Sequence, residues 1–366
     1  MLAGHWHDFK VETLPAESAG ETFARWQALS ANLAEPSGFN APELQLPILK
    51  HLANNKLATV SHGPDLLLAI PIAEGRSFNA RAITPLSPGG TPHLGESLKE
   101  ATVAAFLKAQ HKPFLFKAIA ADGPFHALLK KSASRYFVLE SWSRAGLKLH
   151  GTFAAWLENN FDQKRRKEFK RLRNRLSEQG DLQIKILEPG DAAGNFVAEF
   201  LTLEASGWKG KQGTAIAADV KLTTAMGEAA DLLHAAGKLR FWSLKLNGRA
   251  IASLYAIVEG NQAWLGKIAY DESFAKFSPG ALIILDCTES LFAEKNLVQV
   301  DSSAIPDHPL IDRIWRDRLP MISVFVAAEN VSFPRFIITS TLVRYKRKWR
   351  SKLRDIYYKA KGKKRS

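Results

Sequence analysis

Cysteine is nearly missing from this chain of 366 residues: there is one, Cys287. A single thiol excludes an internal disulfide and any zinc cluster built from cysteines. Long apolar runs are missing as well. No stretch approaches the roughly 18 consecutive apolar residues that a membrane-spanning helix needs. The opening MLAGHWHDFKVETLPAE has neither the basic start nor the apolar stretch of a secretory signal, so the expectation is a cytoplasmic protein. No GxGxxG and no Walker-type phosphate loop occur, which argues against dinucleotide and NTP enzymes. His5 and His7 have no third ligand near them, and no metal is expected. Cys287 stands mid-helix among Ile283, Ile284 and Leu291 and reads as a core residue rather than a nucleophile.

What is present suffices for two domains of ordinary size: 46% of the residues are hydrophobic and nine are Trp. The net charge of +14 suggests nucleic acid until it is located. Between Arg344 and Ser366 stand twelve Lys or Arg against one acid, Asp355. Taking that +11 from +14 leaves +3 over the other 343 residues. Basicity is mostly a property of the tail, so nucleic-acid binding is not expected. A second basic cluster, Lys164 to Arg175, reads as a solvated helix face, or in a sharper reading as a contact for an anionic ligand.

The chain alternates helical and extended patterns throughout, which predicts a mixed α/β fold. Two helices over 21–54, strands over 56–62, 66–72 and 81–85, a helix over 95–110 and further mixed elements up to 142 make one unit. A single helical connector then carries Trp156, Leu157, Phe161, Phe169, Leu172 and Leu176 at helical spacing, with Gly180 as its C-cap. Strand 182–187, helix 192–206, a helix over 217–236 and a meander turned at Asn247-Gly248 and Glu259-Gly260-Asn261 follow. Two units of similar element order suggest an internal duplication without a residue-level repeat. The expected division is 1–150, 151–330 and a basic C-terminal helix and tail over 331–366. In that last helix Leu342, Tyr345, Trp349, Leu353 and Ile356 share one face. This stripe either docks on the body or, with residues 344–366, makes a peripheral contact with an anionic membrane.

The stretch from Trp264 to Ala304 organises the second half. Ala263 to Tyr270 suit a buried strand, Asp271 to Phe277 a polar loop. Ser278-Pro279-Gly280 is a helix start, with Ser as N-cap and Pro at the first helical position. The helix lasts about four turns, and Leu297 to Val300 returns as a strand ending on Asp301. A helix N-terminus opening off a strand end can hold a phosphate or pyrophosphate; the plain alternative is a strand–helix–strand unit without a ligand.

Glu204-Ala205-Ser206-Gly207-Trp208-Lys209-Gly210 with Gly213-Thr214-Ala215, Lys267-Ile268-Ala269-Tyr270-Asp271-Glu272, Ser278-Pro279-Gly280 and Asp301-Ser302-Ser303-Ala304 together resemble the bacterial cellulose-biosynthesis-type (CelD/BcsL) acetyltransferases. Their shared region is a BioF2-like acetyltransferase domain of the GNAT superfamily, and two-lobed members resemble the FemAB aminoacyltransferases. The resemblance covers about 155–328. It implies two tandem GNAT-like lobes, the first degenerate, each a twisted, mostly antiparallel sheet flanked by helices. It also implies acyl-CoA, in the first place acetyl-CoA, as donor, with an amine or hydroxyl acceptor in cell-envelope or exopolysaccharide biosynthesis. The donor's pyrophosphate then falls on Phe277, Ser278, Gly280 and Ala281. This sequence departs from the usual Gly-rich loop, since only one Gly follows Ser-Pro and Pro279 has no N–H.

Acyl transfer needs a base for the nucleophile's proton, donors for the carbonyl oxygen and an anion cradle. Glu204, Asp301 and His308 are the candidate bases, each near an element end. Glu204 could instead pair with Lys209, and Asp301 could cap the next turn. His308 and Asp312 match the His-x-x-x-Asp of an unrelated acyltransferase class, a pattern that chance supplies easily. The carbonyl donors would be N–H groups at the splayed end of the 262–270 strand. Trp208 and Lys209 suit the lining of a substrate site, as do Lys267 and Tyr270; Lys267 within an apolar strand predicts a partner for its charge. A scaffold with degenerate lobes, held on membrane or polymer-synthesis machinery by its tail, is the alternative function.

Overall fold

The computed structural model describes residues 9–52, 55–74, 80–82, 86–87, 89–97, 99–207, 210 and 212–360. The chain forms two compact units, one of Met1–Asn40, Asn54–Ser143 and Pro320–Ser366, the other of Ala41–Ala53 and Arg144–Leu319. Two pieces cross the linear order. The helix α3 (Pro42–His51) belongs to the second unit, and the chain from Pro320 onward belongs to the first.

The first unit contains β1 (Phe9–Leu14), α1 (Ala16–Ala19), α2 (Phe23–Ser30), β2 (Asn55–His62), β3 (Asp65–Glu74), β4 (Ala80–Ala82), β5 (His93–Leu94), α4 (Lys99–Ala109), β6 (Phe114–Ala120) and α5 (Pro124–Ser132). The larger parts of β7 (Arg135–Lys148) and β13 (Asp317–Ala327) and the last helix, α11 (Phe333–Ala360), complete it. Its ladders run β1–β2–β3–β4–β6–β13, all antiparallel except β4 with β6. Phe106, Phe114, Phe116 and Phe125 stack tilted or edge-on in its core. Residues 9–14 pair with Leu57–His62, because β2 offers an edge and Val11 and Phe9 can reach the core.

The second unit contains α3, the end of β7, α6 (Phe153–Asn160), α7 (Gln163–Ser177), β8 (Leu182–Ile186), α8 (Ala193–Ser206), α9 (Val220–Ala235), β9 (Leu239–Leu246), β10 (Arg249–Glu259), β11 (Gln262–Tyr270), α10 (Pro279–Ala293) and β12 (Gln299–Asp301). Its ladders run β8–β9–β10–β11–β12–β7, again antiparallel except for one pair, β11 with β12. The two units thus repeat one succession of ladders. The mixed α/β class and the doubled architecture expected from sequence are both present. The first unit takes its last strand, β13, from beyond the second in sequence.

Three local expectations change. The single connector helix is two helices. Asp162 caps the second, its carboxylate accepting the Arg165 N–H at 2.7 Å, and Phe161 is buried at the break. Gly180 is not that helix's cap, because α7 ends at Ser177. Gly180 instead has φ +151° and lies where a Cβ would stand 2.3 Å from the Asn247 side chain. In α11 Phe336 and Val343 pack on Leu115 and Phe325, while Leu342, Tyr345, Trp349 and Leu353 of the expected stripe are exposed and do not dock; the Ile356 side chain lies outside the described residues.

Within the second unit α3 is tied down by charge. Lys238 lies 3.0 Å from both Glu43 and Glu259, and His51 lies 2.8 Å from Glu228. Burial pushes the Glu259 carboxyl up to about 7, although Lys238 opposes it.

Candidate active site

Strands β11 and β12 pair over only three positions, Gln262 with Gln299, Ala263 with Val300 and Trp264 with Asp301. Beyond Trp264 they part. Strand β11 continues to Tyr270 on β10, so from Leu265 onward its other edge has no strand partner among the described residues. The Lys267 N–H in this stretch is turned to the Tyr255 phenol.

The same stretch carries a bulge. The ladder with β10 shifts between Leu254 and Ala256, and Gly266 and Lys267 stand opposite Tyr255. Lys267 therefore turns toward α8, where its Nζ meets the Glu204 carboxylate at 3.2 Å. Glu204 sits in the last turn of α8 with 1% of its side chain exposed. Its second oxygen accepts the Ile216 N–H at 2.9 Å. Both sequence-predicted residues thus meet, and Lys267 has the partner its setting required. Burial first, then the charge of Glu204, push the Tyr255 phenol well up, so it remains an O–H donor. Tyr255 and Gly266 were not picked out from the sequence. The only signal was a glycine inside a strand.

A small cavity of about 40 Å³ is lined by Leu203, Glu204, Gly207, Ile268, Tyr270 and Glu272, among others. Leu203 and Glu272 also line a more open groove of about 580 Å³ that runs past Thr202, Arg249 and Asp271. Glu204 thus borders a space that opens to solvent. Trp208 and Lys209 lie outside the described residues.

Asp301 and His308 are occupied otherwise. Asp301 forms a buried ion pair with Arg144, and its other oxygen accepts the Ser303 N–H at 2.8 Å, the turn cap foreseen as its alternative role. His308 Nδ1 accepts the Leu310 and Ile311 N–H groups at 3.3 and 3.4 Å, capping the short turn Ile311–Arg313. Cys287 is fully buried and burial raises its thiol, as a core residue requires.

Helix α10 starts where the sequence predicted, directly after Ser278. Ser278 adopts φ +52° and ψ +51°, and its hydroxyl makes no capping bond. Its carbonyl instead accepts the Ala281 N–H at 2.9 Å and the Leu282 N–H at 3.2 Å. Pro279 has no N–H, and Gly280 has no backbone acceptor among the described residues, so the Gly280 N–H points out of the helix start. The side chains of Tyr270 and Leu310 approach Gly280 closely, at 3.3 and 3.2 Å from the place of a Cβ. Phe277 and Ala281 are buried, the Phe277 ring in the core.

Two cations stand beside this helix start; Lys276 was not singled out in sequence, whereas Arg175 ends the basic cluster whose sharper reading was an anion contact. Lys276 Nζ lies 4.8 Å from the Phe277 ring centre and the Arg175 guanidinium 6.0 Å from it, both exposed. Arg175 belongs to the basic cluster on α7, and its neighbour Arg173 pairs with Asp286 on α10. The cluster is thus held against the helix that starts at Pro279.

Residues 163–303 match the family model described as an acetyltransferase (GNAT) domain. No curated protein matches the chain. Among solved structures, the C-terminal domain (DUF2156) of a putative lysylphosphatidylglycerol synthetase from Agrobacterium fabrum is similar in fold. Its TM-score is 0.57 at 13% identity, over 89% of this chain and 97% of that one. FemX is similar at TM-score 0.56 and 9% identity, over 84% and 96%. A conserved protein of unknown function from Bacteroides thetaiotaomicron follows at 0.53 and 12%, over 83% and 97%. The match over 163–303 lies within the second unit and takes in the parted strands and the helix that follows them.

Proposed function

We propose that the second unit moves an acyl group from acyl-CoA to an amine or hydroxyl acceptor, with Glu204 as the general base. The observation that carries this reading is the parting of β11 from β12 after Trp264. It leaves strand-edge N–H groups beside the Glu204–Lys267 pair, where a thioester carbonyl needs donors as its oxygen gains charge.

Of the three candidate bases, Glu204 lines the cavity beside the parted strands, whereas Asp301 is paired with buried Arg144 and caps a turn, and His308 Nδ1 caps another. Lys267 Nζ pairs with one carboxylate oxygen, and the Ile216 N–H fixes the second. In the reaction the acceptor's N–H or O–H bond breaks and its proton goes to Glu204. The acceptor's new bond forms to the acyl carbon and the thioester C–S bond breaks, leaving the CoA thiolate to take a proton. The donor's diphosphate is assigned to the Gly280 N–H and the positive end of α10, with Arg175 and Lys276 supplying charge. Tyr270 must turn from Gly280 to admit it, and with 37% exposure it has room to do so. An envelope or exopolysaccharide acceptor of the CelD/BcsL kind is part of this proposal.

The test is calorimetry of the whole chain with acetyl-CoA and longer acyl-CoAs, followed by thiol release with amine and hydroxyl acceptors. Heat with at least one donor and acceptor-dependent release of free CoA is the expected result. No heat with any donor sinks the reading and leaves a binding scaffold.

A further inference from the structure

Helix α11 shows two faces with different fates. Phe336, Ser340 and half-buried Val343 turn inward onto Leu115, Phe325 and Ala327 of the first unit. Arg344 lies 5.8 Å from the Phe137 ring centre and Arg347 pairs with Glu140 on the same side. At about 100° per residue, Ile338, Leu342, Tyr345, Trp349 and Leu353 fall on the opposite side. They are 58%, 51%, 63%, 60% and 58% exposed. This row is about 22 Å long at the rise of a helix. A helix ordinarily buries such a stripe, and here the body is already served by the other face.

Charge identifies what covers it. Lys346, Lys348, Lys352 and Arg335 are exposed along the margins of the row, and the segment from Arg344 onward carries twelve basic residues against Asp355. An apolar protein groove has no use for this excess, whereas a bilayer bearing anionic lipid attracts it within a Debye length. Tyr345 and Trp349 are the side chains that settle at headgroup level, with an apolar body and a polar tip. No described helix is long and apolar enough to cross a membrane, so the mode is lying on the surface.

We propose that α11 lies along an anionic bilayer, with Ile338, Leu342, Tyr345, Trp349 and Leu353 at the acyl boundary and its lysines among the headgroups, while its inner face stays on the first unit. This rests on the helix and not on the acyltransferase reading.

Co-sedimentation of the full chain with vesicles tests it. One set is phosphatidylcholine alone and the other contains one part phosphatidylglycerol to two of phosphatidylcholine. The chain is expected to bind the mixed vesicles, to leave phosphatidylcholine in solution, and to be released by high salt. The variant Leu342→Gln/Tyr345→Gln/Trp349→Gln weakens binding by about tenfold or more. The variant Lys346→Gln/Lys348→Gln/Lys352→Gln weakens it by about a hundredfold. All six positions are on the exposed faces, and circular dichroism and thermal unfolding should match the parent. Equal binding to both vesicle types, no binding to either, or unchanged binding of the first variant overturns the proposal. So does sedimentation velocity in which the first variant turns a vesicle-indifferent dimer into a monomer, which would give the stripe to a second copy.

Discussion

The ring of Tyr255 lies directly on the backbone of Gly266: a Cβ at Gly266 would stand 2.0 Å from Tyr255 Cε2 and 2.1 Å from Cζ. The close approach seats the phenol in the bulge that turns Lys267 toward Glu204. Gly266→Ala must therefore displace a buried ring or the strand. Overpacking of this kind costs about 1–3 kcal/mol, to be read as a lower urea midpoint with an unchanged slope. If the variant is as stable as the parent, the ring is not confined there.

Glu204→Gln keeps an oxygen for the Ile216 N–H and removes the basic group. Its kcat is expected to fall by about 10²–10⁴, with acyl-CoA affinity measured by calorimetry retained. Loss of donor binding along with kcat would mean that Glu204 holds the site together and does not accept the proton.

Removing positive charge beside α10 should do the reverse. For Arg175→Gln/Lys276→Gln, KM for acyl-CoA rises about tenfold while kcat stays within a factor of two or three, the mark of lost ground-state binding. The exposed setting of both residues keeps stability out of the measurement.

Asp301→Ala leaves Arg144, whose side chain is 5% exposed, without its carboxylate. An uncompensated buried cation costs about 3–5 kcal/mol, measured by chemical denaturation. Retained activity per folded molecule would agree with a structural role; a large fall in kcat at unchanged stability would return Asp301 to the chemistry.

Stability should fall as pH rises through the neutral range. The folded Glu259 carboxyl is raised to about 7 from 4.5, so between those values the folded state holds a proton that the unfolded chain has released. Its contribution is complete below about pH 4.5 and is lost as pH passes 7. Thermal midpoints should decline from pH 5 to 8, and Glu259→Gln should flatten that slope. An identical slope in the variant would assign the dependence elsewhere.

Local patterns were legible in the sequence because short-range chemistry dictates them. Asn247 and Gly248 both take positive φ and turn β9 into β10, as that pair predicts. Pro279 starts α10 because it has no N–H to lose. Long-range pairings were not legible: Glu204 pairs with Lys267, 63 residues on, because a bulge faces that residue toward α8. The Phe161 break between α6 and α7 escaped periodicity, since Phe161 and Phe169 keep a helical spacing across it and pack together at 5.2 Å. In α11 two apolar rows compete for the body, and composition cannot say which row wins. The pairing of the closing strand was illegible for the same reason: Met321 to Ala327 reads as a strand, but nothing local names Phe114 to Ala120 as its partner.

The exchange of end pieces has a bearing on biosynthesis. The first unit closes with Pro320–Ser366, which leaves the ribosome after every residue of the second unit, and the second unit holds Ala41–Ala53, which emerges long before the rest of it. Neither half can be released as a finished body by one cut in the chain. The nascent first half must wait, with one sheet edge open, until the final stretch arrives to seal it.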